Sequence, residues 1–260
     1  MRTPYLVRIF VVLSSVVIVS ANCAGKKNSS TTGSTTSGSS GGGGGGSTPA
    51  KTITVGVSTS QGYAVANSTT TSTTINTQAT TNLVVFVTQQ GIGAGTLTDN
   101  MGNTYTLAGS MTYMNALGSY QDETHAYYCL SCNGGTGHTF TYTKTNGYSS
   151  IFAIELQSTQ ALTYGQIVAT SSPENGTNIN SGNMTTTQAG SMLVGFAAPG
   201  EASGNVTYTW NNGFTKQLEI TNMSYWQGTV GTLPVTPGTY SADVTSTQVV
   251  NGGGILLEFY

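Results

Sequence analysis

The feature that most constrains this chain is a series of short β-branched and aromatic runs between residues 53 and 260, each bounded by Gly, Asn or Pro. No window there carries the 3.6-residue period and capping of an amphipathic helix, and the spacing of the runs is that of a sandwich or barrel. The pattern predicts strands at 53–57, 82–88, 103–109, 124–130, 138–144 and 150–157, then at 162–169, 191–198, 205–210, 214–220, 223–230 and 254–260. Runs such as LVVFV (83–87) and IFAI (151–154) lack polar alternation and read as central strands covered on both faces.

The two halves echo each other. TQATTNLVVF (77–86) aligns with TQAGSMLVGF (187–196) at an offset of 110, and each half closes on a strand with one glutamate, Glu155 in FAIEL and Glu258 in ILLEF. Two similar strand sets facing across a core predict an all-β, two-sheet antiparallel sandwich of jelly-roll or concanavalin-like type over residues 51–260.

Residues 1–23 read as an export signal. Arg2 and Arg8 precede an apolar stretch at 9–19, shorter than the roughly 20 residues a membrane-spanning helix needs. The segment resembles a bacterial lipoprotein signal, which implies that Cys23 becomes the acylated first residue and ties the chain to a membrane at the cell envelope or outer surface. Cleavage after Ala21, releasing a secreted protein, is the alternative. Residues 24–50 form a Ser/Thr/Gly-rich linker with six consecutive glycines at 41–46. Such a segment behaves as a flexible coil with a mean span of about 30 Å.

From Lys51 onward there are three lysines, no arginine and nine acids, a formal charge of −6. Phosphate-backbone binding needs clustered Lys and Arg, so nucleic acid is excluded as a partner, and anionic membrane surfaces are disfavoured for the same reason.

The stretch TLTDNMGNTYTL (96–107), the GTGHTFT strand from Gly135 to Thr141 and Gly213-Phe214-Thr215 carry a D-x-x-G-N-T-Y motif and its companions. Together they resemble a group of secreted bacterial and phage-borne β-sandwich domains. The resemblance implies a jelly-roll or concanavalin-like sandwich and no established activity. Taken by itself, the 99–103 stretch predicts a hairpin turn, with Gly102 and Asn103 at positive φ and Asp99 bonding its own turn backbone. A calcium loop is the rival reading, and it lacks further acidic ligands.

Cys129 and Cys132 admit three readings. A zinc site drawn from His125, Cys129, Cys132 and His138 has suitable ligand types at a spacing that fits no common module. A redox pair requires a following helix, and Asn133-Gly134-Gly135 follow instead. A disulfide stapling a hairpin suits an exported domain best, with no metal and no cofactor. Glu155 and Glu258 are the carboxylates from which a glycosidase pair could be drawn, but the E-x-D-x-x-E cluster of laminarinase-like enzymes and any G-x-S-x-G elbow are absent. The chain is therefore expected to be a non-enzymatic binding or adhesion module. Its candidate ligand is a glycan or cell-surface polymer, contacted by Trp210, Tyr225, Trp226, Tyr113, Tyr120 and Tyr148. The alternatives are ordinary core packing of these aromatics in a structural spacer or coat domain, and, behind that, a glycan-active hydrolase.

Overall fold

The computed structural model describes residues 51–62, 69–114, 121–145, 147–171, 176–199, 205–221 and 227–260. Among them there is no helix. The export signal, Cys23, the linker, Tyr120, Tyr225 and Trp226 lie outside the described residues.

The first half contains β1 (Ile53–Gln61), β2 (Thr69–Thr71), β3 (Thr80–Gln90), β4 (Thr96–Asp99), β5 (Thr106–Met114), β6 (Gln121–Asn133), β7 (Phe140–Thr143) and β8 (Ser149–Ser158). The second begins with β9 (Tyr164–Ser171), β10 (Gly176–Asn180), β11 (Met184–Thr186), β12 (Ser191–Pro199) and β13 (Tyr208–Trp210). It continues with β14 (Thr215–Ile220), β15 (Gly228–Val235), β16 (Gly238–Tyr240), β17 (Asp243–Val250) and β18 (Gly252–Phe259).

One large sheet has the order β1-β8-β3-β6-β5 and the other β9-β18-β12-β15-β14, all pairs antiparallel. These orders match strand for strand. The smaller sheets match too, as β2-β7-β4 and β10-β17-β13, with β11-β16 as an extra ribbon in the second half. Each half is thus an eight-strand jelly-roll winding in which the fifth strand has joined the large sheet.

The two large sheets pack face to face and form the expected sandwich. The residues at the offset of 110 meet at its centre, where Phe86 of β3 stacks on Phe196 of β12 with ring centroids 4.8 Å apart. Phe152 meets Phe196 edge-on at 4.9 Å, and Val84, Ile154, Val194, Ile255 and Leu257 complete this shared core. The smaller sheets cover the outer faces, which makes four layers where the sequence suggested two. Each half has its own second core there, Leu83, Val85, Phe140, Tyr142 and Ile151 in the first, and Leu193, Leu256, Ile179, Tyr208 and Val244 in the second. This is why LVVFV and its counterpart are apolar on both faces.

Strand directions agree between the large sheets. Tyr128 stacks on Tyr164 near the start of β9, Gly109 lies against Ile167 midway, and Gly253, paired with Ser171, lies against Met111 near the end of β5. So β1, β3, β5, β9, β12 and β14 all run from one pole to the other. The domain begins at the proximal pole, where Tyr260 also ends, its N–H bonded to the Thr163 carbonyl at 2.9 Å. The strand ends bracketing 63–68, 115–120, 172–175, 200–204 and 222–226 all lie at the distal pole, about 30 Å away for a nine-residue strand.

Three expectations need correction. The 99–103 turn is not a hairpin, because β4 belongs to an outer sheet and β5 to a large one; it is a corner between layers. The strand expected at 223–230 is instead β15, which runs to Val235 through a glycine and a proline. Strand β17 and the short β2, β4, β10, β11 and β16 were not anticipated, since their Thr, Ser and Asn content hides the inward-facing alternation.

Candidate functional site

The buried acids decide what chemistry is left. Glu155 Oε1 accepts the Gln78 N–H at 2.7 Å and the Thr81 hydroxyl at 2.8 Å, while Oε2 accepts Gln157 Nε2 at 3.0 Å and the Val57 N–H at 3.4 Å. Burial pushes this carboxyl up, but the hydrogen bonds prevail and hold it below the usual range. Glu258 repeats the arrangement, taking the Ser191 hydroxyl at 2.9 Å and Gln166 Nε2 at 2.8 Å. The edge strands bulge at both places, at Gly56 and Gly165, where a Cβ would stand 2.2 Å and 3.0 Å from a carboxylate oxygen. The echo of TQA with a closing glutamate is a structural clamp used twice, with each carboxylate enclosed in its own half.

Asp99 is equally occupied. Its Oδ1 accepts the N–H groups of Met101 and Asn103 at 3.1 and 3.0 Å. Its Oδ2 accepts Tyr105 Oη at 2.6 Å, Asn103 Nδ2 at 2.7 Å and His138 Nε2 at 3.0 Å. His138 Nδ1 then meets Thr77 Oγ1 at 3.0 Å, and that oxygen accepts the Gly135 N–H at 3.0 Å. The side chains of Asp99 and His138 have no solvent exposure. Protein donors fill the positions a calcium ion would take, and the threonine oxygen is tied to a backbone amide.

Cys129 and Cys132 form a disulfide with Cα atoms 5.9 Å apart. It spans a bulge within β6, where Ser131 has φ 54° and donates its N–H to Asn82 Oδ1 at 3.0 Å. The staple therefore sits inside one strand and not at the mouth of a hairpin. His125 lies toward the opposite end of β6 from this sulfur pair, on the same face but opposite Val87, whereas Cys129 is opposite Leu83.

The distal pole holds a different arrangement. The loop Gly91-Ile92-Gly93-Ala94-Gly95 has almost no side chains of its own, and glycine is needed at 91 and 93, where φ is 74° and 101°. Four side chains from neighbouring strands and their ends hold it. Buried Gln89 donates from Nε2 to the Gly93 carbonyl at 2.8 Å and receives the Tyr142 hydroxyl on Oε1 at 2.6 Å. Tyr142 Oη accepts the Gly95 N–H. Glu123 Oε2 accepts the Gly93 N–H at 2.9 Å and stands 3.3 Å from His125 Nε2. Lys144 Nζ donates to the carbonyls of Gln90 and Gly91.

His125 is 2 % exposed, its Nε2 lies 3.1 Å from Gln89 Nε2, and its Nδ1 has no hydrogen-bond partner among the described residues. Burial holds its pKa below the ordinary imidazole value against the pull of Glu123. Burial also lowers Lys144, with Glu123 and Asp122 opposing. Outside the loop lies a cavity of about 460 Å³ lined by residues 92–96 and 143–145. Its lining offers backbone amides and carbonyls, threonine hydroxyls, one ammonium and Ile92, which is 63 % exposed.

The candidate aromatics divide. Tyr113 lies near the end of β5 and is 4 % exposed. Trp210 packs flat over Gly195 and Gly231, stacks on Phe214 at 5.3 Å and donates its indole N–H to Thr229 Oγ1 at 2.9 Å. Both rings are committed to packing. Tyr148 is half-buried beside the distal loop, its carbonyl accepting the Gln90 N–H at 2.9 Å. The distal loop was missed in the sequence because glycines carry no chemistry of their own; GIGAG following an apolar strand was its only signal.

The fold and its poles define a duplicated jelly-roll sandwich. No protein family, curated protein or solved structure matches the chain.

Proposed function

We propose that the protein is an exported, non-catalytic binding module, fastened to the envelope through a lipid on Cys23, that takes a neutral glycan or cell-surface polymer at its distal pole. The observation that carries this reading is the 91–95 loop. Buried Glu123, Gln89 and Tyr142 and half-buried Lys144 are costly groups to desolvate, and they hold in place a glycine loop that supports no core. A loop fixed in this way is pre-organised, which lowers the entropy lost on binding. It also lies at the end opposite the point where the tether joins, the end a surface-anchored domain presents outward.

Charge supports a neutral ligand. The side chains of Asp99, Asp122, Glu123, Glu155 and Glu258 are buried, so the exposed face consists mainly of Thr, Ser and Asn. The cavity has no carboxylate lining it, and the two clamp glutamates already have donors on both oxygens, which supports binding over hydrolysis.

The test is an array of neutral glycans and envelope polymers probed with the mature protein, beside Ile92→Asp and Lys144→Ala. Binding that both substitutions weaken is expected. Binding indifferent to both would sink the distal site, and no binding at all would leave the spacer reading.

A further inference from the structure

The side chains that grip the distal loop converge on one imidazole. Gly93 is held twice, its N–H by Glu123 Oε2 at 2.9 Å and its carbonyl by Gln89 Nε2 at 2.8 Å. Both of those side chains meet the same atom, His125 Nε2, which lies 3.1 Å from Gln89 Nε2 and 3.3 Å from Glu123 Oε2. Gly95 belongs to the same chain of contacts, because Tyr142 Oη accepts its N–H and donates to Gln89 Oε1 at 2.6 Å. Ile92, Gly93 and Ala94 are exposed, so the middle of the loop has no anchor of its own in the core.

The orientation of Gln89 fixes the state of the ring. Tyr142 Oη receives the Gly95 N–H and so directs its own proton at Gln89, which makes the facing atom of Gln89 its oxygen. Both hydrogens of Gln89 Nε2 are then left for the Gly93 carbonyl and for His125. His125 Nε2 therefore accepts, and the neutral ring carries its proton on Nδ1, where no described residue receives it. A proton added at Nε2 would meet the Gln89 N–H head on. Its nearest acceptor is Glu123 Oε2, the oxygen that holds the Gly93 N–H. One protonation thus repels the group on the Gly93 carbonyl and draws away the group on the Gly93 N–H.

The second half closes the same place without an ionisable group. Where Val87 pairs with His125, Ala197 pairs with Thr229 at the offset of 110, and Pro199 stands in place of Gln89. Thr229 is occupied in packing, its hydroxyl accepting the Trp210 indole N–H at 2.9 Å. The winding itself therefore does not require an imidazole here. The ionisable groups around the ring are Glu123 and Tyr127 on β6, Asp122 on the other face of that strand, and Tyr142 and Lys144 on β7 and its end. From β3 come Val87 and Gln89 and from β5 Ser110, none of which titrates. Burial disfavours a charge on the ring most strongly, Glu123 favours it and Lys144 opposes it. We infer that His125 is an acid-operated latch on the distal loop: the neutral ring keeps Gly93 fixed, and protonation frees the loop. On the reading of this loop as the ligand surface, the module holds its polymer near neutrality and releases it in acid.

The experiment is a pH titration of the isotope-labelled mature protein by NMR, from about pH 7.5 to about pH 4. It follows the His125 ring, the amides of Gly93 and Gly95, and the amide of Val194 in the shared core as the reference for folding. The two glycine amides are expected to shift and to gain fast motion with the midpoint of the His125 ring, below about pH 6.5, while Val194 stays unchanged. His125→Gln should abolish the step. Lys144→Ala should move the ring and loop midpoints to higher pH together. Loop amides that follow the carboxylate range instead of the ring, or a step that survives His125→Gln, would overturn the inference. So would a ring that titrates while Gly93 and Gly95 stay still, a comparison made in the wild type that holds even where the glutamine variant does not fold. The titration uses no ligand, so an empty glycan array would count against the distal binding site and not against the latch.

Discussion

The two halves have one winding and two chemistries. Where the first half closes its corner with Asp99, Asn103, Tyr105 and His138 joined by hydrogen bonds, the second uses Trp210 stacked on Phe214, over Ala242. Where β6 carries a bulge and a disulfide, β15 pairs with β12 through seven positions without a break. Where β3 carries Thr88-Gln89 near its end beneath a fixed loop, β12 has Ala198-Pro199. The pair shows that strand order is set by where apolar residues fall along the chain. The identity of the groups at each corner is open to exchange, provided the site is filled and its polar atoms are met.

The largest effect that can test this pairing is at the shared core. Phe196→Ala is expected to cost roughly 3–5 kcal/mol, and Phe86→Ala the same. Because both lie in the core common to the two halves, calorimetry should show one lowered transition in each case. Two separate transitions would mean that the halves are independent domains.

Leu83→Ala and Leu193→Ala, each at a fully buried position in one half's own core, should each cost roughly 2–5 kcal/mol. A cost in only one of them, measured by denaturant titration, would break the equivalence.

Asp99→Asn sharpens the contrast between the corners. It removes the carboxylate oxygen that accepts from Tyr105, Asn103 and His138, a loss of up to about 3 kcal/mol at neutral pH. Asp99 has its carboxyl held low in the folded state: burial raises it, and the bonds from Tyr105, Asn103 and His138 more than offset this. Its stabilisation is therefore present above the ordinary carboxylate value and lost as pH falls through the folded value. The deficit of the variant should shrink in acid, whereas that of Trp210→Phe should not change with pH.

Smaller still is the disulfide, whose four-residue loop contributes about 2 kcal/mol in the chain-entropy account. A Cys129→Ser, Cys132→Ser double variant should lose that much and leave Leu193→Ala unaffected in its cost.

The smallest effect is at His125, which is buried and lowered in the folded state. The unfolded chain binds its proton first, so stability should begin to decline as pH drops below about 6.5. His125→Gln should remove that early limb of the melting-temperature curve.

Much of this was legible in the sequence, and for a specific reason. Central strands such as 82–88 and 191–198 are apolar on both faces, so their signal survives without structural context. The TQA echo and the paired glutamates gave the duplication away, although not that the glutamates are clamps. The outer strands were hidden because their outward positions are threonine and their inward ones include Ser246 and Thr70, which removes the contrast that alternation depends on. Trp210 looked like a ligand contact because an aromatic beside a turn reads the same whether it faces water or, as here, two glycines on adjacent strands of the large sheet.

The common direction of β1 and β12 has a mechanical meaning. A pull on residue 51, resisted by something held at the distal pole, runs along β1 and not across it. The seven register pairs between β1 and β8 then bear the load together, in shear, instead of parting one at a time like a zip. The bulge opposite Glu155 interrupts that ladder, yet the same carboxylate grips the Val57 amide at the weak point. The first strand to feel the force is thus pinned at the one place where its own pairing lapses.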